Sequence, residues 1–264
     1  MISGDEIFAV IVSAVLVLYT WLKWTRVIVS MPNFGQSRSP VAVVAAGTAV
    51  AAVLLLAVLR RWSSADVRDS IVYTGFYFIM GFGVTGLILL VLDRLGLSVR
   101  DDALERRNRA AGVALAGAII GIMAAFAGAN IGDGPGWWVV VFCTALSNGV
   151  LLLGWWLLAG IAATDDAITI DRDLGTGFRI AGWFAGSGLI LGRAVAGDWH
   201  GTNQAVLDFV RGGLPALVLL ILVLAFELVV RRARLRNSAF ALGAVPALVY
   251  IATSAAVVVL RGTW

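Results

Sequence analysis

Long apolar runs alternate with short charged segments along almost the whole chain. Eight of these runs have the length of a transmembrane helix, since about 20 residues at 1.5 Å per residue cross the hydrocarbon of a bilayer. They cover residues 7–29, 40–60, 70–92, 109–129, 137–160, 175–196, 206–230 and 239–260. Lipid offers an open backbone no hydrogen-bond partner, so each run is expected to be helical. The pattern predicts an all-α integral membrane protein with eight transmembrane helices.

The pattern recurs at a spacing of 65 residues. Shifting the chain by this amount superimposes small residues on small residues: Gly112, Ala116, Gly117 and Gly121 on Gly177, Ala181, Gly182 and Gly186. Asn108 and Asp173 then coincide at the start of two spans, and a further step of 64 residues reaches Asn237. In the other direction Gly112 falls on Gly47. The chain is therefore interpreted as one membrane domain of four parallel two-helix repeats of about 65 residues, at about 1–65, 66–131, 132–197 and 198–264.

Small residues at four-residue spacing mark the second helix of the repeats. Faces of this kind let helix backbones approach closely in a bilayer, where lipid supplies no hydrophobic drive for association. We therefore expect the even-numbered spans to form a crowded inner layer and the odd-numbered spans to face lipid. The fourth and sixth spans are expected to pack on each other through Gly117, Gly121, Gly182 and Gly186.

Composition supports a membrane protein and argues against a nucleic-acid partner and a soluble domain. The hydrophobic fraction is 60%, the charged fraction is 14% and the mean hydropathy is +0.93, whereas a soluble domain is nearer half apolar and a quarter charged. The net charge is +4, but the basic residues lie at span ends without interleaved aromatics, so no nucleic-acid partner is predicted. The connections between spans are too short for a soluble domain, which places function in the bilayer, in short loops or in a partner.

The basic residues lie unevenly on the two sides of the predicted spans. If Asp5 and Glu6 are outside, the cytoplasmic loops hold 13 basic residues and the outer loops hold four. The 13 are Lys23, Arg26, Arg38, Arg94, Arg100, Arg106, Arg107, Arg109, Arg172, Arg231, Arg232, Arg234 and Arg236. Because positive residues favour the cytoplasmic side, this distribution predicts both termini outside.

Two segments carry a resemblance to a known family. They read ALERRNRAAGVALAGAIIG at residues 103–121 and ITIDRDLGTGFRIAGWFAG at residues 168–186. Together they resemble the bacterial inner-membrane YjfL-type family, domain of unknown function 350, here as a tandem, eight-helix version that matches best over about residues 70–198. The second segment departs from the pattern at Asp173 and Gly175, where an Asn and an Ala would be expected. The resemblance implies a multi-pass protein of the bacterial inner membrane and brings no catalytic residue.

Ionisable residues inside the predicted spans are candidates for function. One interpretation pairs them locally near span ends or lets them snorkel to the surface. It joins Glu227 to Arg231, Asp208 to Arg211 and Arg193 to Asp198, and it extends Arg179 to the cytoplasmic surface. The other interpretation gathers five residues into an outer vestibule for a solute or ion, with Asp208 between two guanidinium groups: Arg193, Asp198, His200, Asp208 and Arg211.

The middle of the fifth span carries one further polar candidate. Asn148 either hydrogen-bonds to a neighbouring helix, as most mid-membrane amides do, or belongs to a polar pathway. A continuous polar path past Asn148 and Thr85 would favour the second interpretation.

The sequence predicts that the protein is not an enzyme and that it needs no cofactor or metal. One His and one Cys cannot form the usual zinc sites, and no phosphate loop or nucleophile elbow is present. Two functions stay open. The first is a membrane scaffold or partner subunit of an envelope or stress-related system, whose Arg-rich inner loops meet other membrane or cytoplasmic proteins. The second is a channel or transporter for a small ion or solute. The oligomeric state stays open, and the lipid bilayer is the expected surrounding partner.

Overall fold

The computed structural model describes residues 3–30, 39–233 and 239–261, and these ranges are almost entirely helical. Within them, eight long helices follow the eight predicted runs: α1 Gly4–Ser30, α2 Ser39–Arg61, α4 Ile71–Arg94, α5 Arg109–Gly128, α6 Trp137–Ala162, α8 Leu174–Val195, α9 Thr202–Arg232 and α10 Val245–Leu260. The connections hold two short helices and two π-helical turns: α3 Ala65–Arg68, α7 Thr164–Thr169, Val99–Glu105 and Phe240–Ala244. Arg38, Arg234, Arg236 and Asn237, which the sequence analysis used, lie outside the described residues.

The number of candidate membrane spans differs from the predicted eight. Seven helical segments in the described part of the chain are long and apolar enough to cross a membrane, and α8 is not one of them. This helix has 22 residues, but it carries Arg179, Arg193 and six glycines. Its surface is covered by protein instead, because α5, α6, α9 and α10 all contact it. A helix enclosed in this way does not need an apolar surface.

Four helices stand side by side in the order α2, α5, α8, α10, and the contact between α5 and α8 is the most extensive in the structure. Small residues make each crossing close, so that a side chain added to a glycine would overlap an alanine on the next helix. The pairs are Gly47 with Ala116, Gly117 with Ala181, and Gly182 with Ala247. Almost every residue of α5 is buried, whereas α2 and α10 end the row and expose one side.

The predicted contact between the fourth and sixth spans is wrong for two of its residues. Gly182 and Gly186 on α8 face Ala247 and Ser254 on α10 rather than α5. The α8 positions that face α5 belong to a neighbouring stripe: Gly177, Ala181, Gly188 and Gly192. Two small-residue stripes at four-residue spacing lie side by side on one helix, and their spacing alone does not tell which neighbour each one meets.

The other glycines of the predicted packing set lie at close crossings as well. Gly112 meets Pro40 on α2, and Gly121 lies against the backbone of Phe184 on α8. Gly177 lies against the backbone of Ala110 on α5. These close approaches leave no room for a side chain and explain why the stripes are built from glycine and alanine.

The local structure at the start of α5 recurs 65 residues later at the start of α8. Arg107 and Arg172 both adopt the left-handed region, with φ of 49° and 55°. The next residues, Asn108 and Asp173, cap the two helices, and each side chain accepts hydrogen bonds from the amides two and three residues further on. The same backbone turn therefore leads into both helices.

The remaining long helices lie against this row and expose apolar side chains. α1 packs on α4, where Gly83 meets the backbone of Ser13 and Gly86 meets Thr20. α6 lies on α5 and α8, and α9 packs mainly on α8. The exposed side chains of α9 include Leu214, Leu217, Val218, Ile221 and Leu222. Such a surface suits contact with lipid chains.

Candidate functional site

A buried ion pair joins α8 to α9. The Nε of Arg179 donates to Oε1 of Glu227 at 2.5 Å, and Nη2 donates to Oε2 at 2.8 Å. The residues are 1% and 4% exposed. Two parallel hydrogen bonds of this kind fix the geometry of both side chains. A charge removed from water is tolerated only with such compensation.

Arg179 donates two further hydrogen bonds. Nη1 donates to the carbonyl of Leu242 at 2.5 Å, and Nη2 donates to the Thr176 hydroxyl at 2.8 Å. That hydroxyl donates in turn to the Asp173 carboxylate at 2.6 Å. One guanidinium group thus links α8, α9 and the π-helical turn before α10.

This arrangement corrects the local pairing expected from the sequence. Arg179 does not snorkel to the surface, and its partner Glu227 lies 48 residues away along the chain. Arg231 donates instead to the carbonyl of Ala162 at the end of α6. Glu227 is buried against α8, whereas Arg231 is exposed, so the two side chains one turn apart on α9 have different environments.

A cavity of about 460 Å³ adjoins the ion pair at the end of the structure where α6 and α9 finish and α8 begins. Its polar lining comprises Thr164, Asp171, Asp173, Thr176, Arg179, Glu227 and Arg231. We call it the Arg179 cavity. The hydroxyl of Thr164, which is 1% exposed, has no hydrogen-bond partner. The cavity therefore combines buried charge with an unsatisfied polar group.

A second cavity, of about 300 Å³, lies at the opposite ends of α6 and α8. We call it the Asp198 cavity. Five carboxylates line it, and no Lys or Arg does so among the residues that the structure describes: Glu6, Asp66, Asp133, Asp198 and Asp208. Its polar lining also includes Ser64, Tyr73, Tyr77, Asn130 and His200. Nowhere in the described ranges are three His, Cys, Asp or Glu side chains grouped so that they could hold a metal ion.

The predicted outer vestibule is assembled only in part. Asp198, His200 and Asp208 line the Asp198 cavity, but Arg193 and Arg211 do not. Gln204 donates to both Asp208 carboxylate oxygens at 2.9 Å. Counting described residues only, no arginine lies within 4.0 Å of that carboxylate.

Neither guanidinium group of the expected cluster therefore forms a direct ion pair with Asp208. Arg193 extends towards the end of α10, where its Nη2 lies 3.4 Å from the carbonyl of Arg261, and Arg211 is exposed on α9. Asp198 accepts a hydrogen bond from the amide of Asp133 at 2.8 Å. Its role is to join the α5–α6 loop to the α8–α9 loop.

The middle of the structure is closely packed and largely apolar. Asn148 is buried and both polar atoms of its side chain are without a partner. The Thr85 hydroxyl lies 3.9 Å from the sulfur of Met123. A cavity of about 230 Å³ between α6, α8 and α9 has an almost wholly apolar lining, with Trp183 and Ser187 at its polar positions. The Arg179 cavity, the Asp198 cavity and this apolar cavity have no lining residue in common.

These features define a multi-pass membrane protein whose ionisable residues gather at the two ends of its central helices. Residues 66–173 match the family described as Domain of Unknown Function (DUF350), and the resemblance is confirmed for this segment. The match includes α4–α7 and ends at Asp173, the residue that caps α8, so it stops short of the 70–198 range expected from the motifs. No curated protein and no solved structure matches the chain.

Proposed function

We propose that the protein is a tandem, eight-helix version of this family in the bacterial inner membrane, with both termini outside. The contacts between α5 and α8 support the tandem arrangement because they recur between α8 and α10. Gly117 with Ala181 becomes Gly182 with Ala247, a step of 65 and 66 residues. The 22 residues of α8 extend about 33 Å at 1.5 Å per residue, which is enough to cross the hydrocarbon.

The function that this geometry supports best is that of a membrane scaffold or partner subunit. The observation that carries it is the closed middle of the structure, where α5 and α8 cross backbone against backbone. Such packing suits a rigid lateral support better than an open conduit. The proposed binding surface comprises the exposed residues of segment 94–109 together with the loop residue Arg172. It presents Arg100, Arg106 and Arg172. Membrane or cytoplasmic proteins with acidic surfaces are the expected partners.

A paired measurement tests this role. A photoreactive residue at position 106 should give a discrete crosslinked partner in cells, whereas the same residue at position 217, on the apolar face of α9, should give only lipid adducts. The protein reconstituted in liposomes should show no more sodium, potassium or proton flux than empty liposomes. Flux together with an absence of crosslinks at position 106 would reject the scaffold.

A second candidate is a gated transporter for a small cation. It is favoured by the five carboxylates of the Asp198 cavity, because a cleft lined by one sign of charge concentrates ions of the other sign. The described structure would then be a closed state, and the α6–α8 contact would have to open during transport. In the same liposome assay this candidate requires cation flux that falls when Asp198 and Asp208 are both replaced by Asn.

A further inference from the structure

The Arg179 cavity has the electrostatic character of a cation site. Three carboxylates and two guanidinium groups line it: Asp171, Asp173, Glu227, Arg179 and Arg231. Arg179 pairs closely with Glu227 at 2.5 Å, whereas Asp173 lies 4.0 Å from the same guanidinium group. The acidic groups therefore outnumber the basic groups by one at the cavity wall.

The helix ends around the cavity act in the same direction. α6 finishes at Ala162, which lines the cavity, and α9 finishes at Arg232, directly after the lining residues Val230 and Arg231. The carboxyl end of a helix carries about half a negative charge. The amino end of α8 would attract an anion, but Asp173 already closes it by accepting from the amides of Gly175 and Thr176. Arg231 donates to the carbonyl of Ala162 and so offsets the end of α6, which leaves the end of α9 as the dipole that favours a positive ligand.

An unpartnered hydroxyl supplies an independent argument for a ligand there. Thr164 lines the cavity and is 1% exposed, yet its hydroxyl has no hydrogen-bond partner. A buried polar group without a partner is unfavourable, so such groups in native proteins usually meet a ligand or water. Hydroxyl and carboxylate oxygens are the atoms that hard cations and ammonium groups prefer.

We propose that the Arg179 cavity binds a small monovalent cation of the alkali or ammonium type through Asp173 and Thr164. A divalent metal fits less well, because no three acidic, His or Cys side chains of the described residues are grouped to hold one. The volume of about 460 Å³ leaves room for a hydrated ion or a small organic ammonium. This inference does not depend on the scaffold role, since a scaffold and a transporter could each carry such a site.

The chain itself supplies a conservative variant for the test. The side chain of Asn108 accepts hydrogen bonds from backbone amides at the start of α5, as the side chain of Asp173 does at the start of α8. Asp173→Asn should therefore keep the start of α8 and remove only the charge. Asp101→Asn is the matched control. Asp101 is an exposed acid in the connection before α5, and it does not line the cavity.

The measurement is the melting temperature of the full-length protein in detergent, titrated with sodium, potassium or methylammonium chloride. N-methylglucamine chloride keeps the ionic strength constant. A ligand that binds the folded state raises the melting temperature in a saturable way. For wild type and Asp101→Asn we expect a saturable rise with at least one of the three cations. For Asp173→Asn we expect the midpoint concentration to increase by at least about tenfold, as for loss of a charged ligand.

Thr164→Val keeps the test decisive if Asp173→Asn fails to fold. It preserves side-chain shape and removes only the hydroxyl, so the midpoint should rise by several-fold. The inference is overturned if wild type shows no saturable response to any of the three cations. It is equally overturned if Asp173→Asn, or Thr164→Val in its place, responds as wild type does. The cation that acts at the lowest concentration distinguishes an inorganic ion from an ammonium ligand.

Discussion

At the scale of single residues, the buried charge of Arg179 is balanced by a carboxylate that is distant in the sequence. The position of Arg179 inside a span could be read from the chain, but its partner could not. Glu227 has Arg231 four residues away, and that spacing suggests a local pair. Burial decides the outcome, because an enclosed guanidinium group requires a carboxylate at its own depth. The sequence did show that a local partner is missing, because α8 contains no acidic residue and the nearest one along the chain is the capping Asp173, six residues before Arg179.

The ion pair gives the first prediction at this scale. Glu227→Gln leaves the Arg179 charge buried without its counter-ion and should lower the free energy of unfolding by about 3–5 kcal/mol. Arg231→Gln is the control, because its guanidinium group is exposed, and it should cost about 1 kcal/mol or less. The double variant Arg179→Met with Glu227→Leu should recover most of the loss. Denaturation in mild detergent measures all three, and equal losses for Glu227→Gln and Arg231→Gln would contradict the prediction.

The exposed carboxylate of Asp208 gives a second prediction. Its partner is Gln204 on the same helix, and an Asn side chain can still accept from that amide. Asp208→Asn should therefore change the free energy of unfolding by no more than about 0.5 kcal/mol. Asp198→Ala should cost more, because it removes the oxygen that accepts from the amide of Asp133 and joins two loops. A larger loss for Asp208→Asn than for Asp198→Ala in thermal denaturation would show that Asp208 has a partner of another kind.

At the scale of helices, the apolar pattern located the helices along the chain. It did not show which neighbour each helix face contacts. All eight runs are helical, because a polar backbone in lipid has no alternative. The small-residue spacing identified helices that cross closely, but α8 has one stripe for α5 and another for α10. The stripes differ by rotation about the helix axis, so only the three-dimensional arrangement assigns Gly182 and Gly186 to α10. The low apolarity of α8 has the same origin, since it is surrounded by protein on most sides.

The crossings give the prediction at this scale. Gly117→Leu and Gly182→Leu each place a side chain against the backbone of a neighbouring helix, and each should cost at least about 1–3 kcal/mol. Gly149→Leu is the matched control, because a Cβ at Gly149 has no atom within 4 Å and the residue is exposed on α6. Leu189→Ala, at a partly exposed position, should also cost less than Gly182→Leu. Melting temperatures in one detergent compare the four variants, and a control as unstable as Gly182→Leu would argue against close crossing.

At the scale of the whole molecule, the row α2, α5, α8, α10 is the arrangement that the proposed repeats would produce. Parallel repeats place equivalent helices in equivalent positions, so each small-residue helix meets the next one in the chain. The number of membrane crossings does not follow in the same way. The composition of α8 excludes it from the candidate membrane spans. Its length and its place between α6 and α9 nevertheless fit an eighth crossing. The family match does not decide the matter, because it ends at Asp173, where α8 begins.

Accessibility of single cysteines in a Cys143→Ala background decides both the crossing of α8 and the orientation. Glu105→Cys and Arg172→Cys lie in exposed segments before α5 and α8, and Asp133→Cys and His200→Cys lie in exposed segments after those helices. If α8 crosses and both termini are outside, an impermeant maleimide should label positions 133 and 200 in intact cells. Positions 105 and 172 should then react only after permeabilisation. Labelling of 172 and 200 from one side would mean that α8 does not cross. The reverse pattern, with 105 and 172 outside, would overturn the orientation and transfer the Arg179 cavity to the outer surface.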